Sequence, residues 1–193
     1  MSVSAEVREA LDSMKPGDYL RAADIQGPPG AVATALSRAC SGRPDIVRIR
    51  KGLYWKGVAS RFGAGAPSPL EAAVVAAGKG AGPAGWSALS MLGLTTQVPS
   101  EISIAVPGRQ LTSRVSTVHK RSNVDRVRLT PVEVAVLEAL RDEWFERSHK
   151  DLPGRVAQLA ESGVIDLARL SEVARSEPSP RVRERAATLM TPA

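Results

Sequence analysis

The 193-residue chain has one cysteine, two histidines and aromatic residues at only 4%. Each scarcity excludes something. A lone Cys40 closes no intrachain disulfide, and its apolar helical position predicts an ordinary buried thiol. His119 and His149 are far apart in the chain and neither sits in a ligand-spaced pair, so no metal or other cofactor is expected. The most apolar stretch, Leu70 to Ala77, is too short to span a bilayer, and no membrane partner is expected. The opening MSVSAEVREALDSM carries acids and a helical period, unlike a signal peptide, which suggests a cytoplasmic, reducing setting. No serine, histidine and aspartate arrangement is legible. Asp142, Glu143 and Glu146, beside Trp144, Phe145 and His149, suit a solvated face or a partner surface better than a general-acid pair. The chain is therefore not expected to be an enzyme.

What is present is apolar residue in quantity and positive charge in two places. Hydrophobic residues make up 43% of the chain, enough for a core, and the formal net charge is +6. Residues 38–61 alone carry a net +6 and residues 107–128 a net +5, while the rest is slightly acidic. Two concentrated basic blocks suit a polyanionic partner better than an even surface does.

Val3, Val7, Ala10, Leu11 and Met14 form a helical stripe that stops at Lys15-Pro16-Gly17-Asp18. Tyr19-Leu20 fits a short strand, and Arg21 to Ile25 a short second helix ended by Gly27-Pro28-Pro29-Gly30. Pro29 suits the first turn of a third helix, where its missing N–H costs nothing. That helix places Val32, Ala35, Leu36, Ala39 and Cys40 inward, and Thr34, Ser37, Arg38 and Ser41 outward. Ile46 to Arg50 and Leu53 to Lys56 fit a hairpin turning at Lys51-Gly52. Alternation predicts Val47 and Ile49 packed inward with Arg48 and Arg50 outward, and one of Tyr54 and Trp55 buried. This order is that of a winged helix-turn-helix, expected over residues 1–60.

GVASRFGAGAPSP, residues 57–69, has linker composition, and 61–69 is taken as the boundary to a second domain over 70–193. There the pattern predicts helices over Leu70–Lys79 and Trp86–Leu92 and strands near 101–106 and 115–120. Glycines 78, 80, 82 and 85 lack the spacing of a phosphate loop and suggest a flexible connector. Thr130 reads as an N-cap, with Pro131 at the first helical position and Glu133 completing a capping box. Residues 153–190 suggest three short helices broken at Gly163 and at Pro178/Pro180. The fold class expected is α+β and helix-rich.

In a DNA reader, Thr34, Ser37, Arg38 and Ser41 would face the major groove, with Arg38 able to donate two parallel bonds to a guanine edge. Arg43, Arg48, Arg50 and Lys51 would hold phosphates. Arg109, Arg114, Lys120, Arg121, Arg126 and Arg128, with His119 among them, are candidates for secondary contacts to DNA or an acidic partner; a solvated surface is the alternative.

Two segments resemble a known family. The hairpin RIRKGLYWKG, residues 48–57, looks like the N-terminal wing of AbiEi-type antitoxins. WSALSMLGLTTQVPSEISIAVP, residues 86–107, looks like that family's signature: a Ser-Ala-Leu helix, a GLTTQ turn, a Val-Pro break and a strand ending in proline. The resemblance covers residues 3–140 and fades beyond them. It implies a winged helix-turn-helix followed by a C-terminal α+β antitoxin domain. It implies autorepression through inverted repeats in the chain's own promoter, and a cognate nucleotidyltransferase-type toxin as partner. It also places Arg38, Arg48, Arg50 and Lys51 where the family's DNA contacts lie. Gly93 to Pro99 reads as architectural, a helix stop and a turn into the next strand.

Two rival readings are kept. One is a ligand-sensing repressor whose second domain binds a small molecule between helix 70–77 and Trp86. The other is a nuclease-like enzyme, disfavoured because the strand region is basic and not acidic.

Overall fold

Ser2 opens the first helix by accepting the Ala5 N–H at 3.3 Å. This helix, α1 (Val3–Ser13), turns Val7 and Leu11 inward and stops before Pro16. The computed structural model describes residues 2–58, 65–108, 116–141 and 151–190. It divides the chain into two compact units, residues 1–72 and 73–193. The overall class is α+β and helix-rich, with one antiparallel and one mixed sheet.

In the first unit, β1 (Tyr19–Arg21) is followed by a 3-10 turn (Ala22–Asp24) where a short helix was expected. The shortening has a cause: Pro28 and Pro29 offer no amide hydrogens, and Gly27 turns the chain, so no second helical turn can follow. Helix α2 (Pro29–Cys40) begins on Pro29 as expected and buries Val32, Ala35 and Leu36. Strands β2 (Ile46–Arg50) and β3 (Leu53–Lys56) form the hairpin, and β1 adds to it in the order β1-β3-β2, all antiparallel. Gly52 at the turn has φ +75°, a conformation that favours glycine.

The sheet's inner face corrects one expectation. Cross-strand register pairs Arg48 with Tyr54 and Val47 with Trp55. Tyr54 is buried and shares its core with Ile46, Val7, Leu11, Ile25 and Leu36, whereas Trp55 is half-buried. Val47 therefore lies on the face away from the helices, and neither it nor Ile49 joins the core. Alternation identified two faces, but pairing with β1 and β3 decides which of them meets the helices.

The second unit begins within α3 (Pro69–Ala77), so the division falls a little after the expected linker, of which 59–64 lie outside the described residues. The two-residue β4 (Gly82–Pro83) pairs antiparallel with β5 (Ser103–Pro107), and β6 (Thr117–Arg121) pairs parallel with β5 on its other side. Helix α4 (Gly85–Met91) ends as GLTTQ predicts: Gly93 adopts φ +71° and the Leu94 amide returns to Leu89 O at 2.9 Å. A second 3-10 segment (Val124–Arg128) leads into α5 (Pro131–Arg141), in which every residue from Glu133 to Leu140 is buried. The capping box is formed: Glu133 accepts the Thr130 N–H at 2.8 Å, and Thr130 accepts the Glu133 N–H at 3.3 Å. Helices α6 (Leu152–Glu161), α7 (Leu167–Arg175) and α8 (Pro180–Met190) complete the unit, with Leu152, Val156, Leu170, Val173 and Val182 in one core with α4 and α5.

The glycine-rich stretch is not a flexible connector. It holds β4, and a Cβ on Gly82 would lie 2.5 Å from Val134 Cβ and 2.8 Å from Pro131 O. Glycine is there so that the strand can lie directly on the start of α5. Gly82→Ala should destabilise this unit by about 1–3 kcal/mol through overpacking. Gly154→Ala is the control, because nothing lies within 4 Å of its Cβ position in α6. It should stabilise by about 0.5–1 kcal/mol. Denaturant midpoints of the two variants, moving in opposite directions, check the pair.

Candidate nucleic-acid interface

Helix α2 and the β2–β3 hairpin carry the first basic block. Because Val32, Ala35 and Leu36 must face the core, the helix presents Ala31, Ala33, Thr34, Ser37 and Arg38 to solvent, and Ser41 caps it, exposed. All four outward residues expected from the sequence are thus on the exposed side. Ala31 and Ala33 belong there too and were missed, although the same helical period places them there.

The cations differ in what they touch. Arg38, Arg48 and Lys51 are exposed and make no ion pair among the described residues. Arg48 projects from the Tyr54 side of the hairpin, the side that faces the helices, and not from an outer face as alternation suggested. Arg50 is also exposed, next to the irregularity in register between Arg48 and Arg50.

Arg43 is engaged within the fold. It donates to Asp12 Oδ1 at 2.7 Å and to Asp45 Oδ2 at 3.4 Å, and Lys56 Nζ lies 3.9 Å from the same Asp45 oxygen. This cluster joins α1 to the turn between α2 and β2. Arg43 was expected to hold phosphate; in the fold its guanidinium is engaged by Asp12 and Asp45. Thr34 is exposed as expected, with its hydroxyl engaged inside the helix. Its hydroxyl donates to Gly30 O at 2.9 Å, one helical turn back.

Among the described residues, the second basic block is largely engaged in ion pairs. Arg109 and Arg114 lie outside the described residues, and Lys120 is exposed. Arg126, expected as a secondary contact, is fully buried: it donates from Nε to Glu177 Oε1 at 2.6 Å and from Nη1 to Glu138 Oε1 at 2.6 Å. Arg121 grips Glu138 through two bonds of 2.9 and 2.5 Å. Arg141 and Asn123 both donate to Glu177, each at 2.9 Å. Arg128 pairs bidentately with Glu172 at 2.8 and 2.7 Å on the surface. Arg126, being fully buried, is corrected from candidate contact to internal ion-pair partner, and Arg121 and Arg128 are each paired with a carboxylate. Burial by itself would push the Glu138 carboxyl up, but hydrogen bonds from Arg121 and the charge of Arg126 hold it below the usual carboxylate range.

A cleft of about 370 Å³ opens beside the exposed Trp86, lined also by Gln97, Val98, Pro99, Ser100 and Glu101. Helix α3, expected to share a pocket with Trp86, does not line it. The acids at 142, 143 and 146 and His149 lie outside the described residues. Among the described residues, no cluster of three or more His, Cys, Asp or Glu side chains is placed to hold a metal ion. Among the same residues, no helix is long and apolar enough to cross a membrane.

No protein-family model matches the chain. No curated protein matches it either. Among solved structures, the RV2827C protein from Mycobacterium tuberculosis is similar at 18% identity, over 97% of this chain and 76% of that one, with a TM-score of 0.43.

Proposed function

We propose that residues 1–60 are a winged helix-turn-helix that binds double-stranded DNA. In this reading α2 enters the major groove and the β2–β3 hairpin is the wing that holds flanking phosphates. The observation that carries it is the contrast in charge use: Arg38 on the exposed side of α2, and Arg48 and Lys51 on the hairpin, make no ion pair among the described residues, whereas Arg121, Arg126 and Arg128 are matched by carboxylates. Uncompensated cations beside a helix of groove-fitting size favour a polyanion.

We further propose, from the resemblance of residues 48–57 and 86–107, that the chain is the antitoxin of a toxin–antitoxin pair. It represses its own promoter through inverted repeats and counteracts a nucleotidyltransferase-type toxin. Full-length protein should shift its own upstream DNA in a gel but not a scrambled duplex, and Arg38→Ala should weaken and relax that preference. Its expression should also relieve the growth arrest caused by a neighbouring nucleotidyltransferase-type gene. Equal shifts of both duplexes would sink the autorepressor reading, and unrelieved arrest would sink the antitoxin reading.

The cleft beside Trp86 favours a second reading, a repressor whose C-terminal unit senses a small molecule. A thermal shift on metabolite addition, in the absence of any toxin, supports that reading over the first.

A further inference from the structure

Resting on the DNA-binding reading above, we infer that α2 recognises a thymine through the methyl group of Thr34 and a guanine through Arg38. The sequence suggested that Thr34 faces the major groove, where a free hydroxyl could either donate or accept. In the fold the hydroxyl proton is already directed at Gly30 O, 2.9 Å away within the same helix. Thr34 therefore presents to the groove its γ-methyl and an oxygen that can only accept. Thymine is the base that displays a methyl in the major groove, and threonine and alanine methyls are its apolar complements.

Position supports the assignment. Thr34 is the sixth residue of the twelve-residue α2, and the exposed Ala31 and Ala33 precede it in the same half. The first half of a recognition helix is the part that reaches base edges. Arg38 follows Thr34 by one helical turn on the same face, in the last turn of α2, exposed and without an ion pair among the described residues; long helical side chains lean back toward the N-terminus, which brings its fork toward the half that reaches base edges. Its fork is free to donate to the O6 and N7 of a guanine. The preferred half-site accordingly contains a thymine and a guanine within one turn's reach of each other.

The test starts from duplexes selected from random sequence by the full-length protein. Single thymines are replaced by deoxyuridine, which removes the methyl and keeps every hydrogen bond. One such replacement should weaken binding about threefold to fivefold, the worth of one buried methyl. Thr34→Ser, which keeps the oxygen, should show the same loss on unmodified DNA and become indifferent to uracil at that position. Thr34→Val, which keeps the methyl, should bind like the parent protein. Replacement of the guanine by 7-deazaguanine should weaken the parent and leave Arg38→Ala unaffected. If a site is selected but no uracil alters affinity, or Thr34→Val loses binding while Thr34→Ser keeps it, the inference is overturned and the DNA-binding reading stands. If duplexes are bound without any preferred site, this inference falls and DNA binding stands; if no duplex is bound, the DNA-binding reading falls as well.

Discussion

Glu138→Ala should be the most damaging single substitution in the C-terminal unit, at about 3–5 kcal/mol. The reason is the charge it leaves behind. Glu138 is nearly inaccessible and accepts from Arg121 and from the fully buried Arg126. A buried ion pair is no guarantee of stability against an apolar replacement of the whole set, but removing Glu138 leaves Arg121 without its carboxylate and Arg126 and Arg141 with Glu177 alone, where water cannot make up the lost charge. Arg128→Ala is the contrast, because its pair with Glu172 is exposed and solvent-screened; it should leave the unfolding midpoint nearly unchanged.

The same network sets a pH dependence. The carboxyls of Glu138 and Glu133 are held below their ordinary values despite burial. For a depressed carboxyl the stabilisation is complete above the unfolded-state value, near pH 4.3, and is lost as pH falls through the folded-state value. Urea midpoints should therefore drop between about pH 5 and pH 3 and stay level from pH 5 to pH 7. In Glu138→Ala the acid-induced drop should be smaller. An identical drop in parent and variant would show that Glu138 contributes nothing to the titration.

The second large effect concerns salt. If two copies together neutralise six or so phosphates, affinity for the operator should fall on the order of a thousandfold between about 50 and 200 mM salt. The slope assigns roles. Lys51 sits at the hairpin tip with no ion pair among the described residues, so Lys51→Ala should reduce the slope of log affinity against log salt by about one per copy and weaken all sequences evenly. Arg43→Gln should weaken binding with no change in slope, because Arg43 is engaged with Asp12 and Asp45 and acts by orienting the hairpin. A reduced slope in Arg43→Gln would return that residue to the phosphate contacts.

Much of the first unit was legible because its signals are local. The α2 stripe, Pro29 at its start and Gly52 at the hairpin turn all act within a few residues, and the observed elements follow them. The fate of Val47 was not legible, since alternation fixes parity and only pairing with β3 fixes which side is inside. In the second unit the capping box at Thr130 was readable for the same local reason. Within the second basic block the burial of Arg126 was not legible because its neutralising acids are distant: Glu138 follows it by 12 residues and Glu177 by 51. A sum of charges over a window records composition and contains no information about a partner that arrives from another helix. Gly82 is similar, its requirement set by Val134 across the core.

That distance also has a meaning in time. Arg126 leaves the ribosome 51 residues before Glu177, the partner of its Nε. At roughly 5–20 residues per second, the guanidinium waits about 3–10 s for its second carboxylate. During that interval Glu138 alone can hold it, while Asn123 and Arg141 have no Glu177 to meet. Until Glu177 is made, the network therefore lacks the carboxylate that Asn123, Arg126 and Arg141 share, and it can close only when the segment after α7 arrives.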